Sequence, residues 1–279
     1  PSFTDRKPDI AAPYWTGQFD IKGKTILLFS EQGLGDCIQF ARLAKNVSQL
    51  GARVILAVPK RLVSFLSRIE GVSQTIERGG TMPDVDCVCA LMSLPLALKL
   101  TLQEEGLSSP YLSADPVRVE RFGKKLGPAH GQRIGIVWSG SATHINDHNR
   151  SIPLDAIVSH LPKTAEIYCL QRDVNSSDQK VLEASPFIQM LSDYQVSFDD
   201  FEDTVAFCSL MDKIVSVDTS IAHLGAGLGV PTTVMLHSVP DFRWLTTGET
   251  SPWYETAKLV RRAVDAADWD QTLCQAFTS

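Results

Sequence analysis

The regular alternation of short apolar runs with amphipathic segments, from Lys24 onward, is the feature that most constrains the fold. TILLFS (25–30) and RIGIVW (133–138) are continuous apolar runs, which are typical of strands covered on both faces. Between such runs, apolar residues recur at the spacing of one helical face, as at Phe40, Ala44 and Val47. Strands that alternate with helices indicate parallel sheets joined by right-handed crossovers, so we predict an α/β fold.

Two series of such elements follow each other, and they predict two Rossmann-like, doubly wound domains. The predicted strands are residues 25–30, 53–58, 85–91, 133–138, 165–171, 213–217 and 231–236. We expect a lead-in segment at residues 1–23, a first domain at 24–115, a second at 131–262 and a C-terminal helix at 263–279. Turn residues concentrate between about 106 and 131, and within this region we place the boundary near 115–131. Ligands of such sheets bind beyond the carboxyl ends of the strands, so two facing domains would form a cleft.

Charge and cysteine content exclude several classes of protein. Lys and Arg number 26 against 32 Asp and Glu, a net charge of −6, and the chain has no dense basic block that would bind nucleic acid. The six cysteines lack CxxC spacing, which favours buried free thiols over zinc or disulfides. No apolar run of about 18 residues predicts a transmembrane helix. No signal-peptide pattern is present either, so we expect a cytoplasmic protein.

Gly33, Gly35 and Asp36 follow the first predicted strand and open its helix. The two glycines predict a tight turn and a close approach to a ligand. The third glycine of a dinucleotide fingerprint is missing, which argues against a dehydrogenase. Asp36 either caps the helix or faces a ligand.

The segment DTSIAH (218–223) leads from a predicted strand into a helix. A helix N-terminus offers unpaired N–H groups and partial positive charge, which suit a phosphate. Thr219 and Ser220 add hydroxyls, and His223 follows about one turn later. We therefore predict a pyrophosphate site here. The alternative is that Asp218 caps the helix and His223 is a core histidine.

The polar loop WSGSATHINDHNRS (138–151) follows another predicted strand, and we predict that its Ser139 contacts the nucleotide-sugar. Arg150 suits a phosphate because its planar guanidinium can bind two oxygens, although a solvated surface arginine is the alternative. His144 and His148 are four residues apart, but no predicted helix aligns them, so we predict no metal site.

Farther on, Trp244, Trp253 and Tyr254 either stack on a sugar or base or belong to the core.

Together these motifs resemble the glycosyltransferase family 9-like domain, related to heptosyltransferases, that is found after tetratricopeptide repeats in bacterial proteins. The resemblance lies in GKTILLFSEQGLGDCIQFARL, MSLPLAL, IGIVWSGSATHINDHNRSIPL, VSVDTSIAHLGAGLGVPTTVML and RWL…SPWY, spread over residues 23–254. Pro1 in place of Met fits a domain separated from an upstream repeat region.

The resemblance implies a GT-B architecture, with the nucleotide-sugar mostly on the second domain and the acceptor mostly on the first. It implies that Asp36 is the general base. The family's Asp-Thr-Gly-x-x-His element binds the donor phosphates, and Asp218, Thr219 and His223 match it while Ser220 replaces the glycine. Arg150 is the best counterpart of the family's phosphate-binding lysine.

Gln171 stands where heptosyltransferases often carry a ribose-binding acidic residue, so the resemblance leaves the nucleotide open. The implied activity is an inverting glycosyl transfer that needs no metal and no cofactor. The donor would be a nucleotide-diphosphate sugar, and the acceptor a lipopolysaccharide, another glycan or a protein. Two alternatives are an inactive GT-B domain that binds a nucleotide or sugar, and a nucleotide-sugar epimerase.

Overall fold

A computed structural model describes residues 11–141 and 147–278 of the chain. The described chain divides into two compact units. Unit 1 runs to Glu105 and includes Tyr111–Ser113, whereas unit 2 comprises Gly106–Pro110 and the chain from Ala114 onward. Each unit is built around its own parallel sheet, which confirms the predicted α/β fold.

Unit 1 alternates strands with short helices around a four-stranded sheet. Its elements are β1 (Thr25–Phe29), α1 (Leu34–Ala41), α2 (Ala44–Gln49), β2 (Arg53–Val58), α3 (Val63–Leu66), β3 (Val72–Glu77), β4 (Cys87–Ala90) and α4 (Leu94–Ala97). All pairs are parallel, in the order β3-β2-β1-β4. The order reverses between β1 and β4, so the loop after β1, which leads to Asp36, lies at this reversal.

Part of the predicted lead-in segment packs against this sheet. The Trp15 N–H donates a 2.7 Å hydrogen bond to the Val88 carbonyl, and the Trp15 side chain is only 2% exposed. The Tyr14 ring meets Phe29 edge-on, with 6.1 Å between the centroids. The backbone here pairs with the edge of β4, and Tyr14 packs against the apolar cluster around Phe29, so these residues belong to unit 1 and not to a segment outside it.

Unit 2 contains a six-stranded sheet. Its elements are α5 (Pro116–Leu126), β5 (Arg133–Val137), α6 (Asp147–Arg150), α7 (Leu154–Val158), β6 (Glu166–Cys169), α8 (Ser176–Glu183), β7 (Ile188–Met190), α9 (Phe201–Cys208), β8 (Lys213–Val217), α10 (Ser220–Leu228), β9 (Thr232–Leu236), β10 (Ala257–Arg261) and α11 (Asp270–Phe277). All pairs are parallel, in the order β10-β9-β8-β5-β6-β7. The order reverses between β5 and β8, which is where doubly wound sheets bind their ligands.

Helix α5 occupies the region that the sequence predicts as the domain boundary. The Asp115 side chain caps it by accepting the Val117 N–H. Phe122 is fully buried and packs edge-on against Phe207 of α9, with 5.8 Å between the ring centroids. The boundary at 115–131 therefore needs correction, because residues 116–126 form a packed helix of unit 2.

Other differences concern the edges of the sheets and the length of the helices. The predicted helix around Phe40–Val47 is two helices, with a break at Arg42 and Leu43. The strands β3, β7 and β10, which the sequence does not predict, all lie at sheet edges.

The six cysteines are free, as predicted, and five are buried. In the described ranges no helix is long and apolar enough to cross a membrane.

Candidate functional site

The N-terminus of α10 lies at the reversal of strand order in unit 2. Thr219 is its N-cap residue, with extended backbone, and its hydroxyl makes no capping bond to the helix. That hydroxyl instead lies 2.9 Å from the Ser216 hydroxyl. The first N–H groups of α10, beginning at Ser220, therefore receive no cap from Thr219, and the helix dipole adds partial positive charge there. The first half of the alternative, in which Asp218 caps the helix, is wrong because the N-cap is Thr219. The second half, a core histidine at position 223, agrees with the 4% exposure of His223.

His223 lies one turn into α10 and is 4% exposed. Its Nδ1 is 2.9 Å from the Tyr254 hydroxyl, and its ring stacks on Trp244 at 5.0 Å between centroids and 23° between planes. Its Nε2 is 3.8 Å from Oδ1 of Asp218. The imidazole is therefore held in a fixed orientation beside the start of α10.

The predicted aromatic cluster belongs to the core of unit 2. Trp244 and Tyr254 are 0% and 1% exposed, and Trp253 is also buried. Such burial leaves no ring face for a sugar or a base. Of the two alternatives, the core is correct, and Trp244 and Tyr254 contact the His223 ring.

The carboxyl of Asp218 has an unusual electrostatic environment. Burial raises its pKa above the ordinary value of 3.8, and Asp241 acts in the same direction. The Trp244 indole and the cations of Arg150 and Arg243 act in the opposite direction. Burial thus disfavours the charged form of this carboxyl, and the two arginines favour it.

Arg150 joins the loop after β5 to the start of α10. Its Nη1 donates a 2.8 Å hydrogen bond to the Asp218 carbonyl, and its Nε lies 3.1 Å from Oδ1 of Asp147. The guanidinium lies against Gly140, where a Cβ would overlap it. Its side chain is only 17% exposed, so the alternative of a solvated surface arginine is wrong.

Gln171, just beyond β6, is 5% exposed and its amide faces the neighbouring loop. Its Oε1 accepts the N–H groups of Trp138 and Ser139 at 3.2 and 3.1 Å, and its Nε2 donates to the Asp173 carbonyl at 3.2 Å. The amide thus ties the ends of β5 and β6 together. This geometry gives Gln171 a supporting role beneath Ser139 in place of the predicted contact with a nucleotide.

Asp178 supports the same loop, and sequence reasoning missed it. Its buried carboxylate accepts the Trp138 indole N–H at 2.8 Å, the Asn175 amide at 2.7 Å and the Leu154 N–H at 3.3 Å. It therefore links β5, α7 and α8. The sequence does contain a sign of this role. Asn175 is a typical N-cap residue, and an acid three positions after an N-cap, here Asp178, is expected to bond to groups at the helix start.

In unit 1, Asp36 lies in the first turn of α1, and its Oδ2 accepts the Gly33 N–H at 2.9 Å. Its capping interpretation is confirmed, whereas its role toward an acceptor stays a prediction. Gly33 has φ −74° and ψ 178°, which any residue can adopt, and Gly35 lies within the helix. The predicted glycine turn is therefore wrong, and these glycines contribute only the absence of a side chain.

The predicted residues are divided between the two units. In unit 2, Arg150 and His223 both contact Asp218, which Thr219 and Ser220 follow, and Gln171 bonds to Ser139. Gly33, Gly35 and Asp36 lie in unit 1. His144 lies outside the described residues. Within residues 11–141 and 147–278, no three His, Cys, Asp or Glu side chains are grouped to hold a metal.

Comparison with known proteins gives one relative in sequence and several in structure. No family model matches the chain. The protein FlbA of Caulobacter vibrioides is 25% identical over 270 residues, which cover 88% of this chain and 44% of that protein. The chain therefore spans less than half of the length of this relative.

Three solved structures share the fold. A family 9 glycosyl transferase from Veillonella parvula aligns with a TM-score of 0.65 and 11% identity, over 88% of this chain and 87% of that one. The E. coli ADP-heptose LPS heptosyltransferase II has a TM-score of 0.56 and 13% identity, over 89% and 93%. The E. coli heptosyltransferase WaaC with ADP-2-deoxy-2-fluoro heptose has a TM-score of 0.55 and 12% identity, over 91% and 98%. This chain thus has the fold of these glycosyltransferase structures.

Proposed function

We propose that the chain is an inverting, metal-independent glycosyltransferase that moves a sugar from a nucleotide-diphosphate donor to a hydroxyl of a glycan, lipopolysaccharide or protein. The observation that carries the proposal is the start of α10, which Thr219 leaves without a side-chain cap at the strand-order reversal of unit 2. Anions bind such helix termini, and ligands of doubly wound sheets bind at this reversal.

The donor pyrophosphate would accept hydrogen bonds from the first N–H groups of α10 and from the hydroxyls of Thr219 and Ser220. Arg150 adds a cation beside the Asp218 carbonyl. As the bond between the anomeric carbon and the phosphate oxygen breaks, its electron pair passes to the diphosphate. The helix terminus, Arg150 and His223 would stabilise that charge without a metal, because they are already oriented before the reaction.

The acceptor would lose its hydroxyl proton to Asp36 and attack the anomeric carbon on the face opposite to the diphosphate. This displacement inverts the anomeric centre. A carboxylate is a weak base for a hydroxyl, so stabilisation of the leaving group would supply most of the acceleration. The two E. coli structures have names that specify heptosyltransferases, one an ADP-heptose enzyme and one holding an ADP-sugar analogue, which makes ADP-sugars the first donors to test.

A second candidate is a domain that binds a nucleotide-sugar without transferring it. The hydrogen bond between Asp36 and the Gly33 N–H favours this alternative, because a carboxylate that caps a helix already has a structural role. The same bond is compatible with catalysis if the acceptor hydroxyl reaches the carboxylate.

The substitution Asp36→Asn separates the two candidates. The amide oxygen can still accept the Gly33 N–H, so α1 should remain capped, but the amide cannot accept a proton. We expect transfer of sugar to fall by roughly a hundredfold, with nucleotide binding unchanged. Asp86→Asn is the matched control, because Asp86 accepts the Thr25 N–H at the other end of β1. Nucleotide binding without any transfer by the unaltered chain would support the second candidate.

A further inference from the structure

The loop at residues 244–248 is bound at four of its backbone carbonyls by the side chain of Arg261. Arg261, the last residue of β10, donates hydrogen bonds to four carbonyls of this loop. Its Nη2 donates to Trp244 at 2.6 Å and to Thr247 at 3.2 Å, its Nη1 to Leu245 at 3.0 Å, and its Nε to Gly248 at 2.9 Å. The planar guanidinium, with several donors in one fixed fork, matches this arrangement.

The loop requires this support because Leu245 has a strained backbone. Its φ of 59° and ψ of 177° lie in a region that is nearly restricted to glycine. Leu245 is also 40% exposed, so burial of its own side chain offers little compensation. A strained residue persists only where its surroundings fix it, and the bonds from Arg261 do so.

Arg261 bonds to carbonyls in the described part of the chain, and no carboxylate there forms an ion pair with it. Burial lowers the pKa of its guanidinium. The guanidinium is thus partly removed from water, and its hydrogen bonds go to the four backbone carbonyls of residues 244–248. These bonds fix the backbone of the loop.

The loop conformation determines where Trp244 lies, and Trp244 contacts the candidate site. Trp244 precedes Leu245 directly, is fully buried, and stacks on His223 at 5.0 Å between ring centroids. His223 in turn places its Nε2 3.8 Å from Asp218. A continuous series of contacts thus runs from Arg261 to the start of α10.

We propose that Arg261 is a positioning residue of the donor site, which holds the strained loop so that Trp244 orients His223 toward the diphosphate. This inference rests on the proposed function. Without the guanidinium, Leu245 would relax to an unstrained backbone, and Trp244 would leave its stacked position on His223. A lysine would not restore the loop, because an ammonium cannot donate to four carbonyls in this geometry.

The test compares Arg261→Ala and Arg261→Lys with the neighbouring variant Arg262→Ala. Arg262 is a matched control, because its guanidinium also donates to loop carbonyls, those of Ala266, Ala267 and Asp268. The first measurement is the affinity for ADP, UDP and GDP by calorimetry. The second is the NMR chemical shift of the His223 ring protons, which the stacked Trp244 ring displaces.

Both Arg261 variants should weaken nucleotide binding by roughly tenfold or more and move the His223 protons toward the shift of a free histidine, whereas Arg262→Ala should change neither. Adding Leu245→Gly to Arg261→Ala should restore both, since glycine adopts this backbone without strain. An unchanged His223 shift in Arg261→Ala, or equal effects in Arg262→Ala, would overturn the inference. If no nucleotide binds to the unaltered chain, the proposed function fails, and the His223 shift still decides whether Arg261 fixes the loop.

Discussion

The Arg150 guanidinium donates a 2.8 Å hydrogen bond to the backbone carbonyl of Asp218. This bond connects the loop after β5 to the start of α10, across the two strands between which the sheet order reverses. Asp218 directly precedes Thr219, the N-cap residue of α10. The bond therefore holds the Arg150 cation beside the residue that leads into this helix.

Gly140→Ala tests whether this placement of Arg150 matters. A methyl group at Gly140 would overlap the guanidinium and force it away from Asp218. We expect nucleoside-diphosphate affinity to fall by roughly tenfold, the effect of misplacing a binding group, with little loss of stability. Calorimetric titration measures the affinity, and thermal unfolding measures the stability.

Gly123→Ala is the control for that experiment. Its added methyl group would contact only Leu210, at 3.9 Å, and lies within α5. Alanine favours a helix over glycine by about 1 kcal/mol, so this variant should be at least as stable and should bind nucleotide normally. Normal nucleotide affinity in Gly140→Ala would contradict a role of Arg150 in binding the diphosphate.

Tyr254→Phe tests how His223 is held. The Tyr254 hydroxyl lies 2.9 Å from Nδ1 of His223, and both side chains are buried. Loss of a buried hydrogen bond should lower the free energy of unfolding by about 1 to 2 kcal/mol, measured by urea denaturation. An unchanged free energy would mean that this bond does not fix the imidazole.

Asp218→Asn tests the electrostatic environment at the site. Because burial raises the pKa of Asp218, the folded protein binds this proton more readily than the unfolded chain does. Ionisation then costs stability as the pH rises from the ordinary value of 3.8 through the raised pKa. Asparagine cannot ionise, so the stability of the variant relative to the unaltered chain should increase as the pH rises above the ordinary carboxyl value of 3.8.

Urea denaturation at a series of pH values measures this difference. Asp173→Asn is the control, because the Asp173 side chain is 85% exposed and its substitution should leave the pH dependence unchanged. A difference between Asp218→Asn and the unaltered chain that is constant, or that falls with rising pH, would contradict the account.

The sequence predicts the two sheets well because their central strands are continuous apolar runs. The edge strands β3, β7 and β10 escape prediction because one side of each is open and their residues are mixed; β3 is VSQTIE. Helix α5 is hidden by the turn residues on either side of it, although Asp115 followed by Pro116 is a strong helix start. The turn residues around α5 predict a loop, and this prediction is wrong because Asp115 and Pro116 begin a helix.

For the site, the sequence predicts which residues follow the strands, but not which way their side chains point. Gln171 follows β6 as expected, yet its amide bonds to backbone groups of the neighbouring loop. The sequence predicts that Arg150 contacts a phosphate, but it does not predict the bond from its guanidinium to the Asp218 carbonyl, 68 residues away in the sequence. Such long-range partners depend on strand order, which periodicity alone does not determine.

The most direct test of the central claim is the binding of nucleoside diphosphates to the unaltered chain, to Ser220→Glu and to Ser176→Glu, measured by calorimetry. Both serines are the first residues of helices in unit 2, α10 and α8, so each substitution adds one acid that favours its helix terminus. We predict that ADP, UDP or GDP binds the unaltered chain and Ser176→Glu alike, and binds Ser220→Glu at least about tenfold more weakly, through repulsion of the diphosphate. Equal binding to all three proteins, or no binding to the unaltered chain at about 1 mM nucleotide, would contradict a pyrophosphate site at the start of α10.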